Sequence, residues 1–294
     1  MNLNDLRNIG LDDIYWSLKF GIPRRKGTIY DLRNASFQNL SQPVFFLSTG
    51  RCGTKWFSSL IQKDRSCKVL HAPIPTLAYQ GKMVYEQSIT GVSASHKSLI
   101  QEIYLGARES YLRYSYKCDK KLIETNNYIT FFAPYVFDLF PDAKFVHLYR
   151  HPGEFVRSGI NRFYYTNTKN DDTKRIVPLR DPDLGRWKNY SQIQKISWLW
   201  NETNRYIESF KSELPENQCY SFNFNELTVK NVMDLLHFLG IHISKSTVQK
   251  KLNKKVNPNK RKKKEPYFQW PEDEKEQVKS ICGELAKKYG YQLL

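Results

Sequence analysis

An apolar run, Pro43 to Leu47, passes without a break into Ser48-Thr49-Gly50-Arg51-Cys52-Gly53 and then into an apolar-patterned helix, Thr54 to Gln62. A strand that turns through glycines into a helix commits the chain to a layered α/β structure, because the helix must fold back onto its strand's sheet. The turn also leaves the N–H groups of the helix start and the positive end of its dipole facing outward, which suits an anion. The glycines permit close backbone approach, Thr54 offers a hydroxyl, and Arg51 and Lys55 offer charge. An ordinary tight strand-to-helix turn would share this outline. The spacing departs from the nucleotide-binding pattern GxxxxGK followed by Ser or Thr: two residues separate Gly50 from Gly53, and Thr54 intervenes before Lys55. An ATP-binding loop of that type is disfavoured.

The rest of the chain alternates in the same way. Strands are expected at Lys68 to His71, Lys121 to Glu124, Lys144 to Tyr149 and Cys219 to Phe224. Helices are expected near Ser98 to Leu112, over Ile129 to Phe140 before Pro141, and from Arg150-His151-Pro152 to about Phe163. Further helices are expected over Arg186 to Lys211, Val229 to Leu239 and Glu272 to Tyr289, and a short amphipathic one near Leu11 to Phe20. Pro73 to Tyr116 is otherwise hard to read, and Tyr164 to Gly185 reads as a long surface loop. The pattern predicts an α/β fold of three layers, α/β/α, around a mainly parallel, doubly wound sheet. Residues 1–42 form a polar lead-in and residues 43–294 a single domain in this reading.

Charge narrows the partners. The formal net charge is +17, which calls for an anionic partner such as nucleic acid, a membrane surface, an anionic polysaccharide or a phosphorylated cofactor. More than half of the excess lies between Lys245 and Lys264, so the rest of the chain is only moderately basic and the total does not argue for nucleic acid. The five cysteines are odd in number and widely spaced, without a CxxC pair, which indicates neither a disulfide framework nor a zinc site and fits a reducing compartment. Met1 to Gly21 lacks a continuous apolar signal core, and no stretch approaches the ~20 apolar residues of a membrane span. A cytoplasmic protein without a transmembrane segment is expected.

Ser48-Thr49-Gly50-Arg51-Cys52-Gly53-Thr54-Lys55-Trp56 resembles the 5′-phosphosulfate loop of sulfotransferases that use 3′-phosphoadenosine 5′-phosphosulfate (PAPS). A second hallmark of that family is a strand ending in Arg, then Pro, then Ser eight positions after the Arg; Phe145 to Pro152 followed by Ser158 matches it. Weaker likeness covers Phe222 to Leu227 and Leu235 to Ile241, so the resemblance spans roughly Pro43 to Tyr291. It implies the P-loop-like sulfotransferase fold, PAPS as co-substrate and no required metal. Two segments suit a donor with two separated anionic groups, since a guanidinium pairs well with phosphate. By analogy, Arg150 and Ser158 bind the 3′-phosphate, and the amides of Cys52, Gly53, Thr54 and Lys55 hold the phosphosulfate. Arg51 would neutralise the bridging oxygen as the sulfuryl group leaves, and Trp56 would lie near the adenine.

The resemblance leaves the general base open between His71, at the end of a short strand, and Glu124, at the end of the next. Asn126 stands where cytosolic members carry a catalytic histidine. His147 reads as a packing residue and His151 as part of a turn. Lys250 to Lys264 reads as a solvated lid, as a closing loop in which Lys263 or Lys264 meets the 3′-phosphate, or as a polyanion surface. The acceptor is expected to be a carbohydrate or glycolipid hydroxyl, with an anionic saccharide suited to the charge; Phe163, Tyr164 and Tyr165 could stack on sugar faces. Two rival functions are a nucleotide-dependent kinase and a non-catalytic polyanion-binding protein.

Overall fold

The computed structural model describes residues 36, 40, 42–167, 173–254 and 264–293. The helix expected near Leu11 to Phe20, and Lys263 with the lysines just before it, lie outside the described residues. Five strands, β1 (Val44–Leu47), β2 (Cys67–Leu70), β3 (Lys121–Glu124), β4 (Lys144–Tyr149) and β5 (Cys219–Asn223), form one sheet in the order β2-β3-β1-β4-β5. Every neighbouring pair is parallel, so all five strands end on the same edge. The mainly parallel α/β fold expected from the pattern is the fold observed.

Period-two alternation in β1 sorts the two cores. Phe45 and Leu47 face a layer built by α3 (Ala94–Lys117), α7 (Gln192–Lys211) and α10 (Glu272–Lys288), where they join Tyr104, Trp200 and Cys282. Val44 and Phe46 face α1 (Thr54–Ile61) and α8 (Val229–Leu239), where they join Phe57, Leu60, Leu235 and Leu236. Both faces of the sheet are therefore covered, and β1 reads as an unbroken apolar run because none of its side chains is exposed. Burial of each phenylalanine contributes roughly 1.5–3 kcal/mol, and the tilted Phe45–Phe145 contact at 5.7 Å ties two central strands.

Several elements differ from their expected form. Helix α2 (Ala78–Thr90) stands in the segment that was hard to read; only Ala78, Gly81, Val84 and Tyr85 of it are buried, and its start carries no side-chain cap. Ile129 to Phe140 is not one helix. A 3₁₀ segment (Asn127–Phe132) precedes α4 (Ala133–Leu139), where Pro134 sits in the first turn and supplies no N–H to continue the preceding turn. Likewise, α7 begins at Gln192 behind a capping box of Ser191 and Gln194, and the residues before it form the short α6 (Asp183–Arg186) and a 3₁₀ turn. Described parts of the Tyr164 to Gly185 segment are tied to the body: Ile176 is buried, and the Tyr165 hydroxyl donates to its carbonyl at 2.7 Å.

Candidate active site

Chain segments leaving the C-terminal ends of all five strands enclose one cleft of about 820 Å³. It lies where parallel α/β sheets place their ligands. From β1 come Thr49, Gly50, Arg51, Gly53, Thr54, Lys55 and Trp56; from β2, His71 and Ala72; from β3, Asn126, Asn127 and Tyr128. From β4 comes Arg150 and, beyond α5 (Pro152–Ile160), Arg162 and Tyr164; Phe224 follows β5, and Lys251 and Lys254 come from the end of α9 (Lys245–Asn253) and just past it. Among the described residues, seven lysines and arginines and no Asp or Glu line this space.

The loop after β1 is held in an unusual backbone path. Gly50, Arg51 and Gly53 all have positive φ, at 75°, 58° and 97°. At Gly53 a Cβ would lie 2.1 Å from the Phe224 ring, so only glycine fits there. Arg51 is not a glycine, and its left-handed conformation costs about 1–3 kcal/mol. The loop is braced from within: the Gly50 amide donates to Ser48 Oγ at 3.0 Å, and Cys52 Sγ donates to the Gly50 carbonyl at 3.1 Å. Thr130 Oγ1 anchors its base, donating to the Ser48 carbonyl at 3.0 Å and accepting from the Ser48 amide at 3.1 Å. Helix α1 has no side-chain cap, so its first N–H groups stay available to a ligand.

The two segments that stand apart in sequence meet here. Arg51 Nε donates to Ser158 Oγ at 3.2 Å, and Arg150 Nη1 donates to the Arg51 carbonyl at 3.1 Å. Trp200 Nε1 donates to the Arg150 carbonyl at 3.1 Å and pins that strand end. Glu154 is shared, lying 2.9 Å from Arg157 and 3.5 Å from Arg150, while Arg150 Nε is buried without a hydrogen-bond partner among the described residues. Arg51 is held below the ordinary arginine value, first by partial burial and then by the positive charge of Arg162. Trp56 is buried against Phe57, ring edge to face at 5.0 Å, and lines the cleft.

His71 and Glu124 separate clearly. The Thr125 hydroxyl donates to the Leu70 carbonyl at 3.1 Å, so its oxygen accepts from His71 Nδ1 at 3.0 Å. That assignment places the proton on Nδ1 and leaves Nε2 as the basic nitrogen. Burial lowers the His71 pKa, only partly offset by a hydrogen bond to the Thr125 backbone, and Lys55 lowers it further, so the ring is neutral near pH 7. Glu124 does not line the cleft. It is fully buried, and Arg108 holds it through Nε at 3.0 Å and Nη2 at 2.8 Å. Asn126 Nδ2 donates to the Thr76 carbonyl at 2.9 Å and steadies the loop that follows His71.

His147 is a buried packing residue, 2.9 Å from Asn204 Oδ1, and His151 caps α5 by accepting from the Gly153 amide at 3.1 Å. Lys264 is ion-paired with Glu274 at 2.5 Å, whereas Lys251 and Lys254 line the cleft. Tyr164 lies beneath the Arg175 guanidinium, 3.2 Å from its ring centre, and Tyr165 packs edge-on against Trp187 at 5.3 Å; Phe163 is half exposed. Sequence reasoning passed over Arg162, Arg175, Asn127, Tyr128 and Phe224. Arg162 sits one helical turn beyond Ser158, and Phe224 directly follows a strand end, so both positions carried a usable signal.

A parallel sheet with a glycine-turned loop after β1, facing Arg150 and Ser158 after β4, is an arrangement that comparison with known proteins places in a class. A profile of the sulfotransferase family matches residues 43–245, and the chain belongs to that family. Among solved structures, a sulfotransferase from Mycobacterium avium superposes with a TM-score of 0.55 at 11% identity, over 90% of this chain and 80% of that one. The sulfotransferase domain of the curacin biosynthetic pathway gives 0.50 at 14% identity, over 87% of this chain and 99% of that one. The corresponding domain of the Synechococcus PCC 7002 olefin synthase gives 0.50 at 16%, over 87% and 98%. At these identities the likeness shows a shared fold. No curated protein matches the chain in sequence. Among the described residues, no helix is long and apolar enough to cross a membrane.

Proposed function

We propose that the chain transfers a sulfuryl group from PAPS to an acceptor hydroxyl on a carbohydrate or glycolipid, releasing adenosine 3′,5′-bisphosphate. The observation that supports this reading most is the Arg51–Ser158 hydrogen bond, 3.2 Å long between residues 107 apart. It joins two anion-binding segments into one continuous floor, as a donor with phosphate at both ends of a nucleoside requires. The residues fit such a donor: arginines crowd one another, the buried Arg150 Nε lacks a partner among the described residues, and no carboxylate among the described lining residues neutralises the cleft.

In this reading Arg150 and Ser158 take the 3′-phosphate, and the amides of Cys52, Gly53, Thr54 and Lys55, with the Thr54 hydroxyl, take the phosphosulfate. Trp56 flanks the adenine. The donor supplies a sulfuryl group already bonded to a good leaving group. His71 Nε2 accepts the acceptor's hydroxyl proton as its oxygen bonds to sulfur, and Arg51 stabilises the charge that builds on the bridging oxygen as the old S–O bond breaks. We assign the base to His71 because Glu124 is committed to Arg108 and lies outside the cleft.

The test incubates the protein with PAPS and a panel of saccharide and glycolipid acceptors while adenosine 3′,5′-bisphosphate is measured. Acceptor-dependent release that Arg51→Ala lowers by about a hundredfold or more is expected. ATP-dependent phosphorylation of the same acceptors, or equal polyanion binding by wild type and variant with no turnover, would instead favour a kinase or a binding protein.

A further inference from the structure

A recess of about 50 Å³ opens beside the main cleft and shares Thr49, Asn127, Tyr128 and Arg175 with it. Space of that size holds a few water-sized groups, enough for one small substituent. Its floor is apolar and buried, made by Phe131, Ile176 and Leu199. Its rim is cationic: Lys82 and Lys174 line the recess beside Arg175, and no Asp or Glu is among the described residues lining it. Lys82 and Lys174 do not line the main cleft, so they are not needed to hold a donor there.

The partners of these cations are weak ones. Lys82 Nζ donates to the Thr173 carbonyl at 3.3 Å, and its carboxylate partner among the described residues, Glu86, stands 3.7 Å away. Lys174 Nζ lies over the Tyr79 ring at 5.1 Å from its centre. A carbonyl and a ring face attract a cation less than an anion does, and a half-enclosed recess screens such an anion less than open solvent would. The recess also opens off the side that carries Asn127 and Tyr128 rather than the side that carries Arg150 and Phe224.

We propose that this recess is an acceptor subsite for one anionic substituent, a carboxylate or a sulfate, held between Lys82 and Lys174 while a hydroxyl of the same molecule meets His71. The assignment rests on the sulfuryl-transfer reading above and narrows its acceptor class to anionic molecules.

Calorimetry in the presence of saturating adenosine 3′,5′-bisphosphate tests it with two matched probes, p-nitrophenyl β-D-glucuronide and p-nitrophenyl β-D-glucoside. The glucuronide is expected to bind about tenfold more tightly. Combined Lys82→Ala and Lys174→Ala substitution should erase that preference, Lys174→Glu should reverse it, and neither should alter bisphosphate affinity, which also reports correct folding. Equal affinity for the two probes, binding of neither, or a preference that survives both variants would overturn the subsite. Failure of the bisphosphate itself to bind would remove the donor reading instead, so the two failures are distinguishable.

Discussion

Two arginine centres sit at neighbouring strand ends and are treated in opposite ways. Behind β3, Arg108 is fully buried, and each of its nitrogens has a partner: Glu124 through Nε and Nη2, and the Pro75 carbonyl through Nη1 at 2.7 Å. Burial alone would lower the Arg108 pKa, and Glu124 more than offsets that, so the guanidinium is raised above its ordinary value. In front of β1 and β4, Arg51 and Arg150 face a cleft whose described lining has no carboxylate; Arg150 shares Glu154 with Arg157, and Arg51 is lowered rather than raised. The fold neutralises its buried arginine with a carboxylate and leaves its cleft arginines facing open space, the contrast expected if the second centre binds an anion. Through Pro75 the closed centre also fixes the loop that carries His71, so the structural pair supports the site without entering it.

Substitutions should keep the two centres apart. Glu124→Ala leaves the buried Arg108 charge uncompensated and is expected to destabilise the protein by about 3–5 kcal/mol in urea unfolding. A loss below ~1 kcal/mol would erase the distinction. His71→Ala should lower kcat by about a thousandfold while bisphosphate affinity stays constant, which single-turnover and binding measurements separate. Arg150→Ala should weaken bisphosphate about a hundredfold and leave the urea midpoint unchanged or higher, because removing a like charge relieves Arg51.

The smallest effect concerns Thr125. In the proposed mechanism the base is neutral His71, whose pKa burial places below the ordinary value of about 6.5, so activity is expected to persist to mildly acidic pH and to fall as pH drops through that depressed pKa. The hydrogen bond that raises that pKa runs to the Thr125 backbone, which a side-chain change keeps. Thr125→Val removes only the hydroxyl that meets Nδ1 and should cost about tenfold in kcat, since the ring loses the bond that fixes its tautomer, while the acid limb of kcat/KM stays in place. An unchanged kcat would show that the Thr125 hydroxyl does not orient the base.

What could be read from the chain divides along the same line. Strands whose apolar runs end at turn residues were legible from local spacing, whereas the Ser48 to Trp56 loop was joined to Arg150 and Ser158 only through the resemblance to sulfotransferases, because contact between residues 107 apart leaves no local pattern. Helix α2 was not, since it buries only a narrow face and begins without a cap signal. The fate of Glu124 was equally hidden: its partner Arg108 is on α3, sixteen residues earlier, and only packing of that helix under β3 brings the two together. Arg175 reaches the cleft from a segment with no periodicity to announce it.

In the proposed reading the open centre takes a nucleoside with phosphate on both sides. Calorimetric titration with adenosine 3′,5′-bisphosphate and with adenosine 5′-monophosphate tests it most directly. The bisphosphate should bind at one site about a hundredfold more tightly than the monophosphate, with that preference lost in Arg150→Ala. Equal affinity for the two nucleotides, or binding of neither, would rule out such a donor site.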